Sequence, residues 1–220
     1  MAEWLYGDGY RVHVPGGDGP HPAILFLHGS GQAGSDNEDQ LNVGLPTLAD
    51  DLYSEFLIVA PQNPSTSNLW SAYRETISDI LAEVEQRHPL SNLRVITGLS
   101  LGGHGTLTLA SSLSWRFTKV VPVCGWADPG GTVTKMEYDP TAWHSAAPFA
   151  DPIRVKEAIG TLPIWLFHGE QDEIVVPERS REVAAILPQA RLTLYPNVGH
   201  DAWNHAYPDP ELVAWMKAPG

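Results

Sequence analysis

The sequence predicts an α/β protein with a mostly parallel sheet and helices on both faces of the sheet. Short apolar runs alternate with longer amphipathic or small-residue segments, which is the order of strands followed by crossover connections. A Gly-x-Ser-x-Gly turn at residues 98–102 joins one such run to a helix-like segment. The chain has 220 residues, so we expect residues 1–220 to form a single domain.

Seven apolar runs are predicted to be strands because each has strand length and ends at turn-forming residues. In chain order they are Tyr10–Val14, Ala23–Leu27, Phe56–Ala60, Leu93–Thr97, Val120–Val123, Leu162–Phe167 and Arg191–Tyr195. Helices are predicted between and after them, at Tyr73–Glu85, Leu101–Leu109, Glu178–Leu187 and Pro210–Met216. In the first helix the apolar residues recur three and four positions apart, as on one helix face.

Residues 126–159 form the segment with the least regular pattern. They follow a strand whose carboxyl end should face the site predicted below, and they contain loop-forming and aromatic residues. These features fit a partial lid over a pocket and an ordinary long connection equally well. The segment is too short for a separate cap domain, so no large cap is expected.

The turn at residues 98–102 has the form of a nucleophile elbow. A serine at its centre takes a strained backbone conformation, and glycine two positions before and after it avoids a clash. Gly98 and Gly102 meet that requirement. Ser100 would then stand at the carboxyl edge of the sheet, although a plain glycine-rich turn can produce the same five-residue match.

A serine hydroxyl becomes a good nucleophile when a histidine takes its proton and a carboxylate orients the histidine. Asp172 follows a predicted strand that ends at Phe167, and His200 follows the strand that ends at Tyr195. We therefore predict that Ser100, Asp172 and His200 are catalytic. Two neighbouring acids, Glu170 and Glu173, are alternatives to Asp172, while Asp201 is expected to face the loop backbone.

The same chemistry needs two backbone N–H groups that bind the oxyanion of a tetrahedral intermediate. Leu101, directly after the serine, is predicted to supply one. The second should come from the loop after an early strand, and His28-Gly29-Ser30-Gly31 follows the run Ala23–Leu27. We predict that the amide of Ser30 is the second donor.

Taken together, these motifs resemble the α/β-hydrolases, in particular the phospholipase/carboxylesterase and dienelactone-hydrolase-like group. Four blocks carry the resemblance, namely Phe26–Gly31, Gly98–Gly103, Trp165–Gly169 with Asp172, and Tyr195–Trp203. The order serine, aspartate, histidine along the chain is that of the α/β-hydrolases. The resemblance implies a Ser-His-Asp hydrolase without a cofactor. Dienelactone hydrolases proper carry cysteine at the nucleophile position, so Ser100 argues against their substrate.

Three of the eight tryptophans lie beside motif loops and are predicted to line a substrate pocket: Trp70, Trp126 and Trp203. Trp115, Trp165 and Trp215 are expected in the core. His28 and His168 precede glycines at strand ends, where structural roles are expected, and His104 should be packed below the nucleophile. No pair of histidines has the spacing and carboxylate company of a zinc site, so no metal is predicted.

Charge and composition limit the classes of partner and the location that we expect for this protein. The formal net charge of −13 at pH 7 makes nucleic acid an unexpected partner and disfavours anionic membranes and anionic substrates. No run reaches the roughly 18 apolar residues of a membrane span. Met1–Arg11 shows no apolar core of signal-peptide length, so a cytoplasmic location is expected. The single cysteine, Cys124, excludes an internal disulfide and is expected to be buried and inert.

The sequence thus predicts a serine esterase that cleaves small-molecule carboxylic esters through an acyl-enzyme. A peptidase or thioesterase with the same triad is the nearest alternative, because a fold does not fix the leaving group. A ligand-binding protein that keeps the fold without the chemistry is a more distant one. The physiological substrate, the acyl chain length and the oligomeric state, including a possible homo-oligomer, cannot be read from the sequence.

Overall fold

A computed structural model of the chain describes residues 3–127 and 151–219. These residues form one eight-stranded sheet. Its strands are β1 Glu3–Gly7, β2 Tyr10–Val14, β3 His21–Leu27, β4 Leu57–Pro61, β5 Leu90–Leu99, β6 Lys119–Val123, β7 Ile164–Gly169 and β8 Ala190–Tyr195. The predicted α/β class with a mostly parallel sheet is confirmed.

The strand order across the sheet is β1-β2-β4-β3-β5-β6-β7-β8. From β4 to β8 all neighbours are parallel, whereas β2 pairs antiparallel with β4 and β1 antiparallel with β2. The chain leaves β3 for β4 on one side and later returns to place β5 on the other side of β3. A reversal of this kind opens a crevice at the carboxyl ends of β3 and β5, which is where α/β proteins bind ligands.

Helices cover both faces of this sheet. They are α1 Arg74–Arg87, α2 Leu101–Leu109, α3 Pro152–Ile159, α4 Glu178–Ile186, α5 Trp203–Ala206 and α6 Pro210–Lys217. The first four contribute apolar side chains to one core cluster, together with Leu25 and Leu27 of β3. The last two pack with the alternate residues Ile24 and Phe26 in a second cluster. Because side chains alternate across a strand, the two clusters lie on opposite faces of the sheet.

Among the strands and α-helices of the described residues, three were not predicted: β1, α3 and the four-residue α5. Glu3–Gly7 forms the edge strand β1, which the sequence analysis missed because its side chains are mostly exposed and show no apolar alternation. Helix α3 lies in the segment predicted to be irregular. Asp151 caps it by accepting hydrogen bonds from the N–H groups of Ile153 and Arg154, and Pro152 occupies its first turn. An aspartate followed by proline is a recognised helix start, so this signal was available.

The described residues contain no cap domain over the sheet, in agreement with the prediction. Whether residues 126–159 act as a lid stays open, because residues 128–150 of that segment lie outside the described part. None of the helices in the described ranges is both long enough and apolar enough to cross a bilayer.

Candidate active site

Ser100 occupies a strained turn between β5 and α2, at the carboxyl end of a central strand of the sheet. Its φ is 54° and its ψ is −115°, a combination that residues other than glycine rarely adopt. The chain is so closely packed here that a Cβ on Gly98 would lie 2.5 Å from the carbonyl oxygen of Gly102. A Cβ on Gly102 would lie 1.8 Å from the carbonyl oxygen of Leu27. The turn therefore has the geometry of the predicted elbow.

The structure brings the three predicted catalytic residues into one hydrogen-bonded line. His200 Nε2 lies 2.9 Å from Ser100 Oγ, and His200 Nδ1 lies 2.7 Å from Asp172 Oδ2. A carboxylate accepts hydrogen bonds, so Nδ1 carries the proton and Nε2 is left to accept one from the serine hydroxyl. The arrangement can move a proton from Ser100 to an imidazole whose orientation Asp172 fixes.

Backbone contacts hold the loop that carries the acid against the loop that carries the histidine. The N–H of Gln171 donates to the carbonyl oxygen of Val198 at 2.9 Å. At the end of β7, Gly169 packs so closely on this loop that a Cβ would lie 2.1 Å from the carbonyl oxygen of Gly199. Glycine at position 169 therefore allows the two loops to meet.

Asp172 is held as a buried carboxylate. Its Oδ1 accepts hydrogen bonds from the N–H groups of Ile174 and Val175, both at 2.9 Å. Burial opposes ionisation, but the hydrogen bonds from His168, His200 and the backbone outweigh it and hold the pKa of Asp172 well below its ordinary range. The acid is therefore ionised throughout the physiological pH range, as the predicted role of an orienting carboxylate requires.

The other acids near the histidine loop have different partners. Glu170 is exposed and forms an ion pair with Arg181 at 3.5 Å, and Glu173 is exposed. Asp201 was expected to face the loop backbone, but its carboxylate accepts a hydrogen bond from the side chain of Asn204 at 3.3 Å. Of the carboxylates in residues 3–127 and 151–219, that of Asp172 is the one in contact with the His200 ring.

Each of the two residues predicted to donate to the oxyanion is the first residue of a helix beside the elbow. Ser30 is the first residue of a short 3₁₀ helix that ends at Gln32, and Leu101 is the first residue of α2. The first N–H groups of a helix have no carbonyl partner within it. Gly29 packs against the residue before the nucleophile, since a Cβ on it would lie 2.8 Å from Leu99 Cδ1. The Ser30 loop thus lies against the elbow.

A buried histidine anchors this loop. His28 donates from Nδ1 to the carbonyl oxygen of Gly29 at 2.6 Å, and its Nε2 accepts the N–H of Asn63 at 2.9 Å. Burial lowers the pKa of His28 to about 4, so the ring is neutral, as its use of one nitrogen as donor and the other as acceptor requires. These contacts agree with the structural role expected for His28.

Gln62 and Asn63, directly after β4, also hold the loop in which an oxyanion donor is predicted, and the sequence analysis did not assign them a role. Gln62 donates from Nε2 to the carbonyl oxygen of Gln32 at 3.1 Å. Asn63 accepts the N–H of Gly34 at its carbonyl oxygen, at 2.9 Å. Their position directly after a buried strand was the available signal, because the carboxyl ends of parallel strands meet at one edge of the sheet.

The three tryptophans predicted to line the pocket differ in exposure. Trp70 is 1% exposed, and its indole N–H donates to the carbonyl oxygen of His28 at 3.1 Å. Trp126 is 3% exposed and stacks on His104 at a centroid distance of 4.7 Å. Trp203 is partly exposed and stands edge-on to the His200 ring, with centroids 5.5 Å apart. A pocket role for all three stays a prediction, and Trp203 has the surface and the position that such a role needs.

Cys124, His168 and Asp172 form a group of three buried potential metal ligands. Burial is the largest of the effects that raise the pKa of the Cys124 thiol far above its ordinary value, so the thiolate that binds metals is disfavoured. Both oxygens of Asp172 already accept hydrogen bonds. These three side chains therefore fit a buried, hydrogen-bonded carboxylate and its neighbours better than they fit a metal centre.

Comparison with known proteins places the chain in a family. The model of the Esterase family, described as "Putative esterase", matches residues 34–218. No curated protein matches the chain.

Solved structures share the fold over nearly the whole chain. A thermostable esterase is 25% identical with a TM-score of 0.73, and the match covers 98% of this chain and 61% of that protein, so this chain spans less than two thirds of its length. The acetyl xylan esterase from Aspergillus awamori is 15% identical with a TM-score of 0.71, covering 98% of this chain and 99% of that one. The fluorophosphonate-binding serine hydrolase F of Staphylococcus aureus is 17% identical with a TM-score of 0.68, covering 100% and 98%.

The resemblance drawn from the four sequence blocks is confirmed by these findings, and the expected enzyme class, an ester hydrolase, is confirmed at the level of the family. The matched segment begins after the predicted oxyanion loop and includes the elbow, the acid loop and the histidine loop. The chain therefore belongs to the Esterase family and has the α/β-hydrolase fold.

Proposed function

We propose that this protein hydrolyses small carboxylic esters, with Ser100 as nucleophile, His200 as general base and acid, and Asp172 as the orienting carboxylate. The observation that carries the proposal is the hydrogen-bonded line from Ser100 Oγ through His200 to Asp172 Oδ2, with distances of 2.9 and 2.7 Å. It stands on a strained elbow, and strain of this kind is kept where function requires it. Membership of the Esterase family supports the same reaction.

In the first half-reaction, Ser100 Oγ attacks the ester carbonyl carbon while its proton passes to His200 Nε2. The carbonyl oxygen becomes an oxyanion, which the N–H groups of Ser30 and Leu101 bind. The tetrahedral intermediate then breaks its bond to the alcohol oxygen, and Nε2 returns the proton to that oxygen. An alcohol leaves, and Ser100 carries the acyl group as an ester.

In the second half-reaction, water replaces the alcohol. His200 Nε2 takes a proton from the water as its oxygen attacks the acyl carbon, and the same two N–H groups bind the new oxyanion. Collapse of this intermediate releases a carboxylic acid and returns the proton to Ser100 Oγ. Asp172 stays ionised throughout and stabilises the imidazolium of each step.

Two features favour uncharged esters as the substrate class. The net charge of −13 repels anionic substrates at long range. Trp203 beside His200 offers an indole surface for an acyl or aromatic group, and we propose it as the substrate-contacting residue among the three tryptophans.

A substrate panel with matched leaving groups tests the proposal. We would measure kcat/KM for a p-nitrophenyl ester, the corresponding thioester and the corresponding anilide, with the wild-type protein and the Ser100→Ala variant. We expect the ester to be cleaved fastest and the activity to be lost in the variant. Full ester hydrolysis by Ser100→Ala would overturn the mechanism, and faster cleavage of the thioester or the anilide would overturn the substrate class.

A further inference from the structure

Asp172 is in contact with a second histidine besides His200. The ring of His168, in β7, lies with Nε2 3.1 Å from Asp172 Oδ2, the same oxygen that accepts the hydrogen bond from His200 Nδ1. Both side chains of this second contact are fully buried. Two imidazole rings, those of His168 and His200, thus contact the same oxygen of the Asp172 carboxylate.

The partners of the His168 ring fix where its proton sits. Nε2 also lies 2.8 Å from the carbonyl oxygen of Val175, and a carbonyl and a carboxylate both only accept. Nε2 therefore carries a proton, which it donates to the Val175 carbonyl oxygen while Asp172 Oδ2 lies 3.1 Å away on the same side of the ring. On the other side of the ring, Nδ1 lies 2.7 Å from Ser180 Oγ. In a neutral ring, Nδ1 accepts the proton of that hydroxyl.

A line of contacts therefore runs from Ser100 through His200, Asp172 and His168 to Ser180. We propose that His168 is a positioning residue for ester hydrolysis, which fixes Asp172 Oδ2 at the place where it accepts the hydrogen bond from His200 Nδ1. The inference rests on the proposed function of Ser100, His200 and Asp172. It goes beyond the structural role that the strand-end position of His168 suggests.

The physical reason is that, without His168, the two oxygens of the Asp172 carboxylate would be held unequally. The amides of Ile174 and Val175 hold Oδ1, whereas Oδ2 is held by side chains alone. Of these, His200 changes its charge during every turnover. His168 supplies a contact that stays in place while the His200 ring gains and loses its proton, so the carboxylate keeps its orientation between steps.

The chain offers a matched control in a second buried histidine. His13 in β2 is also fully buried, with Nδ1 3.2 Å from the carbonyl oxygen of Phe56 and Nε2 3.1 Å from Asp50 Oδ1. It makes the same two kinds of contact, but its carboxylate is 76% exposed and lies outside the proposed machinery. Replacing either ring by phenylalanine removes a carbonyl contact and a carboxylate contact from a packed interior, and at His168 it also removes the contact with Ser180 Oγ.

The experiment compares His168→Phe, His168→Gln and His13→Phe by steady-state hydrolysis of a p-nitrophenyl ester, with near-ultraviolet circular dichroism to establish folding. We expect His168→Phe to lower kcat by about 10- to 100-fold, the effect of one hydrogen bond to a charged group, and to leave KM unchanged. His168→Gln keeps an N–H donor near the Nε2 position and should recover most of the loss. His13→Phe should leave kcat and KM unchanged.

A folded His168→Phe protein with wild-type kcat would overturn the inference, as would equal losses in His168→Phe and His13→Phe or a failure of glutamine to recover kcat. Should His168→Phe not fold, ¹⁵N-histidine NMR of the wild-type protein decides. Phosphonylation of Ser100 by a fluorophosphonate should then shift the His168 Nε2 signal and leave the His13 signals in place. An unchanged His168 signal would refute the coupling.

The outcomes also separate this inference from the proposed function. Loss of activity in Ser100→Ala with an unaffected His168→Phe protein would leave the ester hydrolase in place and remove only the role of His168. Retained activity in Ser100→Ala would remove the proposed function itself.

Discussion

Replacing Asp172 by asparagine changes one atom at the point where the His200 tautomer is set. The oxygen of the amide can stay with the two backbone N–H groups that now bind Oδ1. Its NH₂ group then faces His200 Nδ1, now 2.7 Å from the carboxylate oxygen. Two donors cannot face each other at this distance, so the His200 proton must move from Nδ1 to Nε2. In that tautomer Nε2 cannot accept the proton of Ser100.

Because the His200 proton would then sit on the wrong nitrogen, we expect kcat of Asp172→Asn to fall by about 10⁴-fold, the loss known for the same change in a serine protease triad. That factor corresponds to about 5.5 kcal/mol of barrier. Folding should suffer less, by about 1–3 kcal/mol, because one buried donor is left without an acceptor. The assay is kcat for a p-nitrophenyl ester, with urea unfolding measured in parallel.

The control for this change is Asp201→Asn, which alters an exposed carboxylate next to His200 in the chain. It should leave kcat within about twofold of the wild-type value, because exposed carboxylates contribute little. A loss of less than about 10-fold in Asp172→Asn, or equal losses in the two variants, would refute the assignment of Asp172 as the orienting acid.

Two further predictions concern the supports of the site. Gly102→Ala should destabilise the protein by about 3 kcal/mol or more, because the new Cβ would lie 1.8 Å from the carbonyl oxygen of Leu27. The control is Gly31→Ala, where a Cβ meets nothing within 4 Å. Equal thermal unfolding temperatures of the two variants would contradict the packing argument. Burial lowers the pKa of His28 in the folded protein to about 4, from an ordinary value of 6.5. Between these two pH values the unfolded chain binds more protons than the folded protein does. The free energy of unfolding should therefore fall as pH falls through that range, by up to about 3 kcal/mol. In His28→Gln, urea unfolding at a series of pH values should show a flatter dependence over this window, and an unchanged slope would argue against a neutral buried ring.

The sequence predicted the sheet well where local pattern and burial agree. Helix α2 has the predicted bounds of Leu101–Leu109, and β2 the predicted bounds of Tyr10–Val14. The buried strands read as continuous apolar runs, which is typical of parallel sheets covered on both faces. Edge strand β1 escaped prediction because an exposed edge needs no apolar alternation.

The positions of the candidate site residues were predictable as far as motif and chain order reach. Ser100, Asp172 and His200 each follow a strand, and the carboxyl ends of parallel strands meet at one edge of the sheet. The contacts of His168 with Asp172 and of Gln62 with Gln32 could not be read in the same way. They depend on side-chain directions set by tertiary packing, which local sequence pattern does not encode.

The account depends most on an activated serine at position 100. Intact-protein mass spectrometry after incubation with a fluorophosphonate, with the wild-type protein beside Ser100→Ala, tests it directly. A single adduct on the wild-type protein, located at Ser100 by peptide mapping and missing from the variant, is the predicted result. A folded wild-type protein that forms no adduct, or an adduct that persists in Ser100→Ala, would contradict the account.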